Sequence, residues 1–332
     1  MFIIDSYSTA VLFCIITMLC WGSWANTTKL SSPGWRFELF YWDYAFGILI
    51  LSLIMAFTLG SSGSSGRSFL QDFHQADNAN LLSAFIGGIV FNLANILLVS
   101  AIAIAGMSVA FPIGIGIALI LGVVVNYLDS PQGNAMLLFG GVALIAIAIL
   151  INANAYRQVN KGKATFSAKG LLIAVAAGVL MGFFYKYVAA SMVEDFAVPE
   201  KGKITPYTAL VFFAIGIVAS NFLFNGLLMR FPFSGERLSL RDYFRGAGRD
   251  HLIGLLGGVI WHTGMSFNII ASGKAGPAIS YGLGQGATII AAIWGIFIWK
   301  EFANASRATY RNLLLMLLLY FVGIILIIFA NY

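Results

Sequence analysis

The chain has 332 residues, of which 60% are hydrophobic and only 10% charged, and its mean hydropathy is +0.89. Soluble domains carry roughly 45–50% apolar and about 25% charged residues, so these values exclude a cytosolic enzyme, a secreted disulfide scaffold and a nucleic-acid-binding module. The formal charge of +6 reads as a basic cytoplasmic face beside anionic lipid.

A membrane helix needs about 20 consecutive apolar residues. Ten such segments are expected, near 8–28, 38–60, 80–102, 106–127, 134–152, 169–190, 206–229, 251–272, 276–299 and 311–330. The first lacks the basic start of a cleaved leader and holds both cysteines, Cys14 and Cys20. Six residues apart on a helix, these point to different faces, and without clustered histidines they form no zinc site. Ser-Ser-Gly-Ser-Ser-Gly at 61–66 reads as a flexible linker without the ending of a phosphate loop. Residues 231–250 read as a second exposed loop, and very short turns at Ala105-Gly106 and Ala275-Gly276 join helices 3/4 and 8/9. Fourteen of the nineteen Lys and Arg fall on one side of these ten helices and four on the other. The richer side is expected to be cytoplasmic. That places both termini outside, the loop 153–168 inside, and the chain in an inner or plasma membrane.

The segment 87–127 aligns without a gap on 257–297 at an offset of 170, pairing Gly87/Gly257, Gly88/Gly258, Ala105/Ala275, Gly106/Gly276, Gly114/Gly284 and Gly116/Gly286. Five helices per half is an odd number, so the second half must sit upside down relative to the first. The expected fold is an all-α polytopic membrane protein with two inverted five-helix repeats, 1–160 and 161–332, and no soluble domain. Inverted repeats with a site near the midplane are the architecture of many secondary transporters.

Local motifs narrow the class. Trp21-Gly22-Ser23-Trp24-Ala25-Asn26-Thr27-Thr28-Lys29 closes the first helix and Tyr41-Trp42-Asp43-Tyr44 opens the second. Gly87-Gly88 and Asn95 sit in the third, and Asn126-Tyr127-Leu128-Asp129 ends the fourth. The chain resembles the drug/metabolite transporter superfamily, in its glucose/ribose porter and ureide permease branch. The resemblance implies proton- or cation-coupled movement of ureides, nucleobases or sugars. Plant ureide permeases carry a long central cytoplasmic loop with a nucleotide-loop-like motif. The short loop 153–168 departs from that pattern and leaves a bacterial sugar-type porter open.

Asp43 is the sharpest candidate for coupling, because an ionisable group inside a span is expensive and usually functional. It fits a proton carrier, a structural partner of Lys29 or Arg36, or an interfacial bystander. Lys186 lies within helix 6, where at an offset of 160 its repeat mate is Asn26; it suits a solute contact or a snorkelling side chain. Tyr281, Gln285 and Thr288 share one face of helix 9. Asn92 and Asn95 lie one turn apart on helix 3, and His262, the mate of Asn92, lies one turn from Ser266 on helix 8. Each of these suits either solute binding or hydrogen bonding between helices. Trp21 and Trp24 share a face and suit stacking on a planar ring or an interfacial aromatic belt. Helices 5 and 10 read as lipid-facing scaffold, and helices 1, 3, 4, 6, 8 and 9 as the walls of a central cavity.

The spans hold no nucleophile–base pair, paired carboxylates or metal cluster, so no enzymatic chemistry, cofactor or metal is expected. The function expected is secondary active transport of a small polar solute through the lipid bilayer by alternating access. Its co-transported ion would be a proton or sodium. A drug or metabolite exporter and a non-transporting receptor are the alternatives.

Overall fold

The computed structural model describes residues 1–159, 167–233 and 235–331. Among them, ten helices are long and apolar enough to cross a membrane, numbered here as spans 1 to 10. They are Tyr7–Leu30, Phe37–Phe57, Asn78–Ala105, Val109–Asp129, Ala135–Val159, Ala168–Ser191, Pro206–Arg230, Gly248–Ala275, Pro277–Ile298 and Arg307–Phe329. The hydrocarbon core offers no hydrogen-bond partner, so each backbone must satisfy itself, and helices do so. The protein is an all-α polytopic membrane fold. The boundary at 160/161 between the two expected halves lies outside the described residues.

Helix ends follow local chemistry. The hydroxyls of Ser6 and Ser306 accept from the backbone N–H of Thr9 and Thr309, each at 3.2 Å, capping spans 1 and 10. Pro206 and Pro277 open spans 7 and 9, where a missing N–H costs nothing. Spans 3 and 8 are both 28 residues long. Each ends on a glycine with positive φ, +80° at Gly106 and +77° at Gly276, which turns the chain directly into the next span. A short helix opened by a capping box precedes each of them, Phe69–Gln75 and Leu240–Phe244. The second corrects the reading of 231–250 as loop alone: Ser239 and Asp242 cap each other reciprocally, a local signal embedded in a charged stretch.

Packing rests on bare backbone. A Cβ on Gly88 would collide with the carbonyl oxygen of Phe213 in span 7, and one on Gly258 with that of Tyr44 in span 2. The reciprocal contacts are Gly216 on Phe85 and Gly47 on Leu255. Span 3 therefore seats on span 7 as span 8 seats on span 2, with corresponding residues 169 or 170 positions apart. Small residues allow such close approach where lipid gives no hydrophobic drive. Spans 5 and 10 pair through Gly141 and Gly323, with Leu314, Leu318 and Phe321 facing outward.

Two spans depart from regular helix. The end of span 1 winds into a tighter 3₁₀ turn over Trp24–Leu30. Span 9, expected to be continuous, is interrupted at Gln285-Gly286 between Pro277–Gly284 and Ala287–Ile293. There the N–H of Gly286 bonds Leu283 and that of Ile289 bonds Gly286, a three-residue step in place of four. Gly282, Gly284 and Gly286 remove the side chains that would hold a regular helix there.

Replacing Gly88 or Gly258 by Val drives a branched side chain into a neighbouring backbone. Overpacking of this kind costs about 1–3 kcal/mol, so each variant is expected to unfold at lower temperature in detergent. Gly140→Ala is the control, because the nearest atom to its Cβ lies 3.9 Å away; its melting temperature should be unchanged or slightly raised.

Candidate functional site

A cavity of about 160 Å³ lies between spans 1, 3, 4, 6, 8 and 9. At roughly 30 Å³ per water, it has room for about five waters. Its wall is largely aromatic: Trp21, Trp24, Phe91, Phe111, Phe184 and Trp261. Trp21 and Trp261 stack with ring planes 9° apart and centroids 5.8 Å apart, and the indole N–H of Trp21 donates to the carbonyl of Trp261 at 3.2 Å. Phe91 lies 4.3 Å from Trp261 and 5.2 Å from Phe184. Flat rings fixed against one another present π faces on which a planar or ring-shaped solute can stack.

The polar groups of this wall are neutral. Asn95 lines the cavity and donates from Nδ2 to the Tyr41 hydroxyl at 3.0 Å. Thr288 bonds the carbonyl of Gln285 at 3.1 Å and shares a 2.5 Å hydrogen bond with the Tyr320 hydroxyl. Tyr320 belongs to span 10, so that span supports the site as well as facing lipid. Gln285 stands at the break in span 9, and its side-chain amide bonds no protein group among the described residues. Broken helices near the midplane are where many transporters place their ligands.

The remaining sequence candidates lie elsewhere. Asn92 donates to Ser220 Oγ at 2.9 Å and ties span 3 to span 7. Tyr281 is fully buried and donates toward the carbonyls of Ala118 and Met181 at 3.1 and 3.0 Å. His262 and Ser266 are buried, and among the described residues no protein group satisfies their side-chain polar atoms. Asn26 sits at the rim, where its Oδ1 accepts from Trp299 Nε1 at 2.6 Å. Lys186 is 40% exposed and pairs with Asp129 at 3.1 Å, which satisfies its charge outside the cavity. Phe91, Phe111, Phe184 and Trp261 were missed because an aromatic residue in an apolar run carries no signal of which way it faces.

Asp43 does not pair with Lys29 or Arg36, which bind Glu301 and Glu38. It lies in span 2 against Gly254 of span 8. His251 Nδ1 lies 2.9 Å from one carboxylate oxygen, and the Tyr243 hydroxyl donates to the other at 2.6 Å. Burial, then the hydrogen bond and charge of Asp43, push the Tyr243 hydroxyl above its ordinary pKa, so it stays a donor at physiological pH. His251 is about a quarter exposed, giving the carboxylate a titratable neighbour in contact with water. Tyr44, the residue after Asp43, packs 4.7 Å from Trp24 in the cavity wall. His251 lies ten residues before Trp261 on span 8, roughly 15 Å at 1.5 Å per residue. One helix thus carries both the ionisable cluster and part of the cavity.

A family model for ureide permeases matches residues 40–168 and 157–330. The chain belongs to the ureide permease family. Ureide permease 1 of Arabidopsis thaliana is 25% identical over 384 aligned positions, covering 98% of this chain and 97% of that protein. Glucose uptake protein GlcU of Bacillus subtilis (strain 168) is 25% identical, covering 74% of this chain and 75% of its own. A solved crystal structure shares the fold at a TM-score of 0.59, with 15% identity over 97% of this chain and 98% of the other. Membership of a permease family, with ten membrane helices, makes the protein a secondary transporter of small polar solutes and not an enzyme. Among the described residues, no group of three or more His, Cys, Asp or Glu could hold a metal ion.

The geometry separates two kinds of buried amide. Gln285→Ala removes an amide that makes no hydrogen bond to the protein among the described residues, so thermal stability should change little. Solute binding should weaken about 3–10-fold, the worth of one neutral hydrogen bond. Asn92→Ala removes a bond between spans 3 and 7, so it should lower the melting temperature and leave the binding constant unchanged. Thermal unfolding and ligand titration of both variants check this pair.

Proposed function

We propose that the protein carries a small, neutral, ring-shaped solute with several hydrogen-bonding groups, binding it between Trp21, Trp24, Phe91 and Trp261 and orienting it with Asn95, Gln285 and Thr288. The observation that carries this reading is a cavity whose wall combines stacked aromatic faces with uncharged amide and hydroxyl groups. An anionic solute would call for a cation in that wall, and Lys186 is committed to Asp129. The names of the relatives, ureide permease and glucose uptake protein, denote solutes of this class. The plant alignment spans more positions than this chain has residues, and the two matched segments of the family model meet at 157–168. A plant-type insertion at the central loop fits both facts. Its absence here favours the shorter sugar-type porters as the second reading. Uptake of glucose, uracil and allantoin into proteoliposomes, with and without a pH or sodium gradient, decides between them. Absence of uptake or exchange for all three under every gradient would overturn the solute class.

In this reading a proton is the coupling ion and Asp43 carries it, exchanging it through His251 while Tyr243 holds the carboxylate in place. An ionisable group inside a span is costly and usually functional, and this one is met by an imidazole and a phenol. Residues 1–160 and 161–332 act as the two halves that move, both termini face outward, and the protein resides in the inner or plasma membrane. Asp43→Asn keeps the shape and a hydrogen bond but removes the titratable proton. It is expected to abolish pH-driven accumulation and to retain solute exchange at equilibrium in the same vesicles. Normal accumulation by this variant would remove Asp43 from the coupling step.

Orientation has its own test in a background carrying Cys14→Ser and Cys20→Ser. Ser64→Cys in the loop after span 2 should react with an impermeant maleimide on intact cells. Glu236→Cys in the basic loop after span 7 should react only after lysis. The reverse pattern would invert the topology.

A further inference from the structure

The cavity is lopsided about its own repeat. Four pairs of repeat mates line it from both halves: Trp21/Met181, Trp24/Phe184, Phe91/Trp261 and Ile115/Gln285. Gly22, Ala25, Asn95, Leu98 and Phe111 line it without their mates, and so do Ala287, Thr288 and Ala291 of the second half. The mates of Ala25, Leu98 and Phe111 are Tyr185 at the offset of 160, and Asn268 and Tyr281 at the offset of 170. The side chains of all three are fully buried. Along spans 6, 8 and 9 they fall between residues that line the cavity and residues that line a second hollow of about 280 Å³, beside Asn126, Asp129, Glu200, Lys203, Ser272 and Pro277.

These positions are polar where a passive seal would be apolar. Asn268 donates to the carbonyl of Ser280 at 2.7 Å, yet no group among the described residues satisfies its buried Oδ1. An unsatisfied buried acceptor is costly and calls for a reason. Tyr185 and Tyr281 add two hydroxyls, the first 3.5 Å from the carbonyl of Asn268. Two inverted halves change states by exchanging conformations. The residues that line the cavity alone in one state are then replaced by their mates in the other.

We propose that Tyr185, Asn268 and Tyr281 form the solute-binding surface of the opposite-facing state, with Asn268 Oδ1 accepting an N–H or O–H from the solute. This deepens the transport reading above and rests on it. Hydrogen-bonding groups stand on both sides: Asn95 and Thr288 line the cavity without Met265 and Ala118, whereas Tyr185, Asn268 and Tyr281 are the mates of Ala25, Leu98 and Phe111.

The experiment uses the full-length protein in a Cys14→Ser, Cys20→Ser background, reconstituted in vesicles of both orientations. Leu98→Cys and Asn268→Cys are expected to react with an impermeant maleimide from opposite faces of the membrane. Reaction of both from the same face, or inertness of Asn268→Cys from either face while Leu98→Cys reacts, would overturn the proposal. This labelling needs no solute, so its failure is distinct from failure of the solute class. A second measurement uses Asn268→Leu, which installs the residue its mate carries, with glucose, uracil and allantoin as probes. The KM for entry from the Asn268 face should rise about tenfold, and the KM from the other face should not change. Equal changes on both faces, or none, would overturn the binding role; a merely structural residue would lower the amount of folded carrier and leave both KM values alone.

Discussion

Backbone-to-backbone contact at Gly88 and Gly258 sets the geometry on which the rest depends. In lipid, apolar side chains gain little by meeting one another. Helices associate where their surfaces fit closely, and the closest fit comes from having no side chain at all. Each of these glycines admits a carbonyl of the neighbouring span, Phe213 in one half and Tyr44 in the other. The contacts set how span 3 crosses span 7 and how span 8 crosses span 2. Phe91 and Trp261 follow one turn later on spans 3 and 8, and meet 4.3 Å apart in the cavity wall. The aromatic surface is thus a consequence of the two crossings.

Polar groups inside the spans divide by what satisfies them. Asn92, Tyr281 and Thr17 hydrogen-bond neighbouring helices. Gln285 faces the cavity with a free amide, at the point where three glycines let span 9 break. Asp43 is met by His251 and Tyr243 from a different segment of the chain. Residue type alone does not separate these roles. An asparagine in a span is equally suited to grip a helix or a solute, and the direction of its side chain decides.

The ion pairs Lys29–Glu301 and Lys186–Asp129 each join the two halves, near the ends of spans 1 and 9 and of spans 6 and 4. All four side chains are more than a third exposed. Exposed pairs of this kind contribute about 0–1 kcal/mol. That is little enough for both pairs to break and reform in the proposed alternating cycle.

Composition and hydropathy by themselves determined ten spans and their approximate limits, and local motifs the resemblance that pointed to the transporter class. These are properties of single helices and of lipid as a solvent, and a run of about 20 apolar residues has one stable outcome there. Asp43 stood out as a candidate for the same reason, because a carboxylate inside an apolar helix is costly. Its partners did not, since His251 and Tyr243 lie about 200 residues away and reach it only when span 8 seats on span 2. Tertiary packing likewise turned Tyr281 and Asn92 into the protein, placed Lys186 at the rim beside Asp129, and brought Phe111, Phe184 and Trp261 to the cavity. A helix presents every one of its faces to something, and which face meets a neighbour, lipid or an open cavity is set by the other nine.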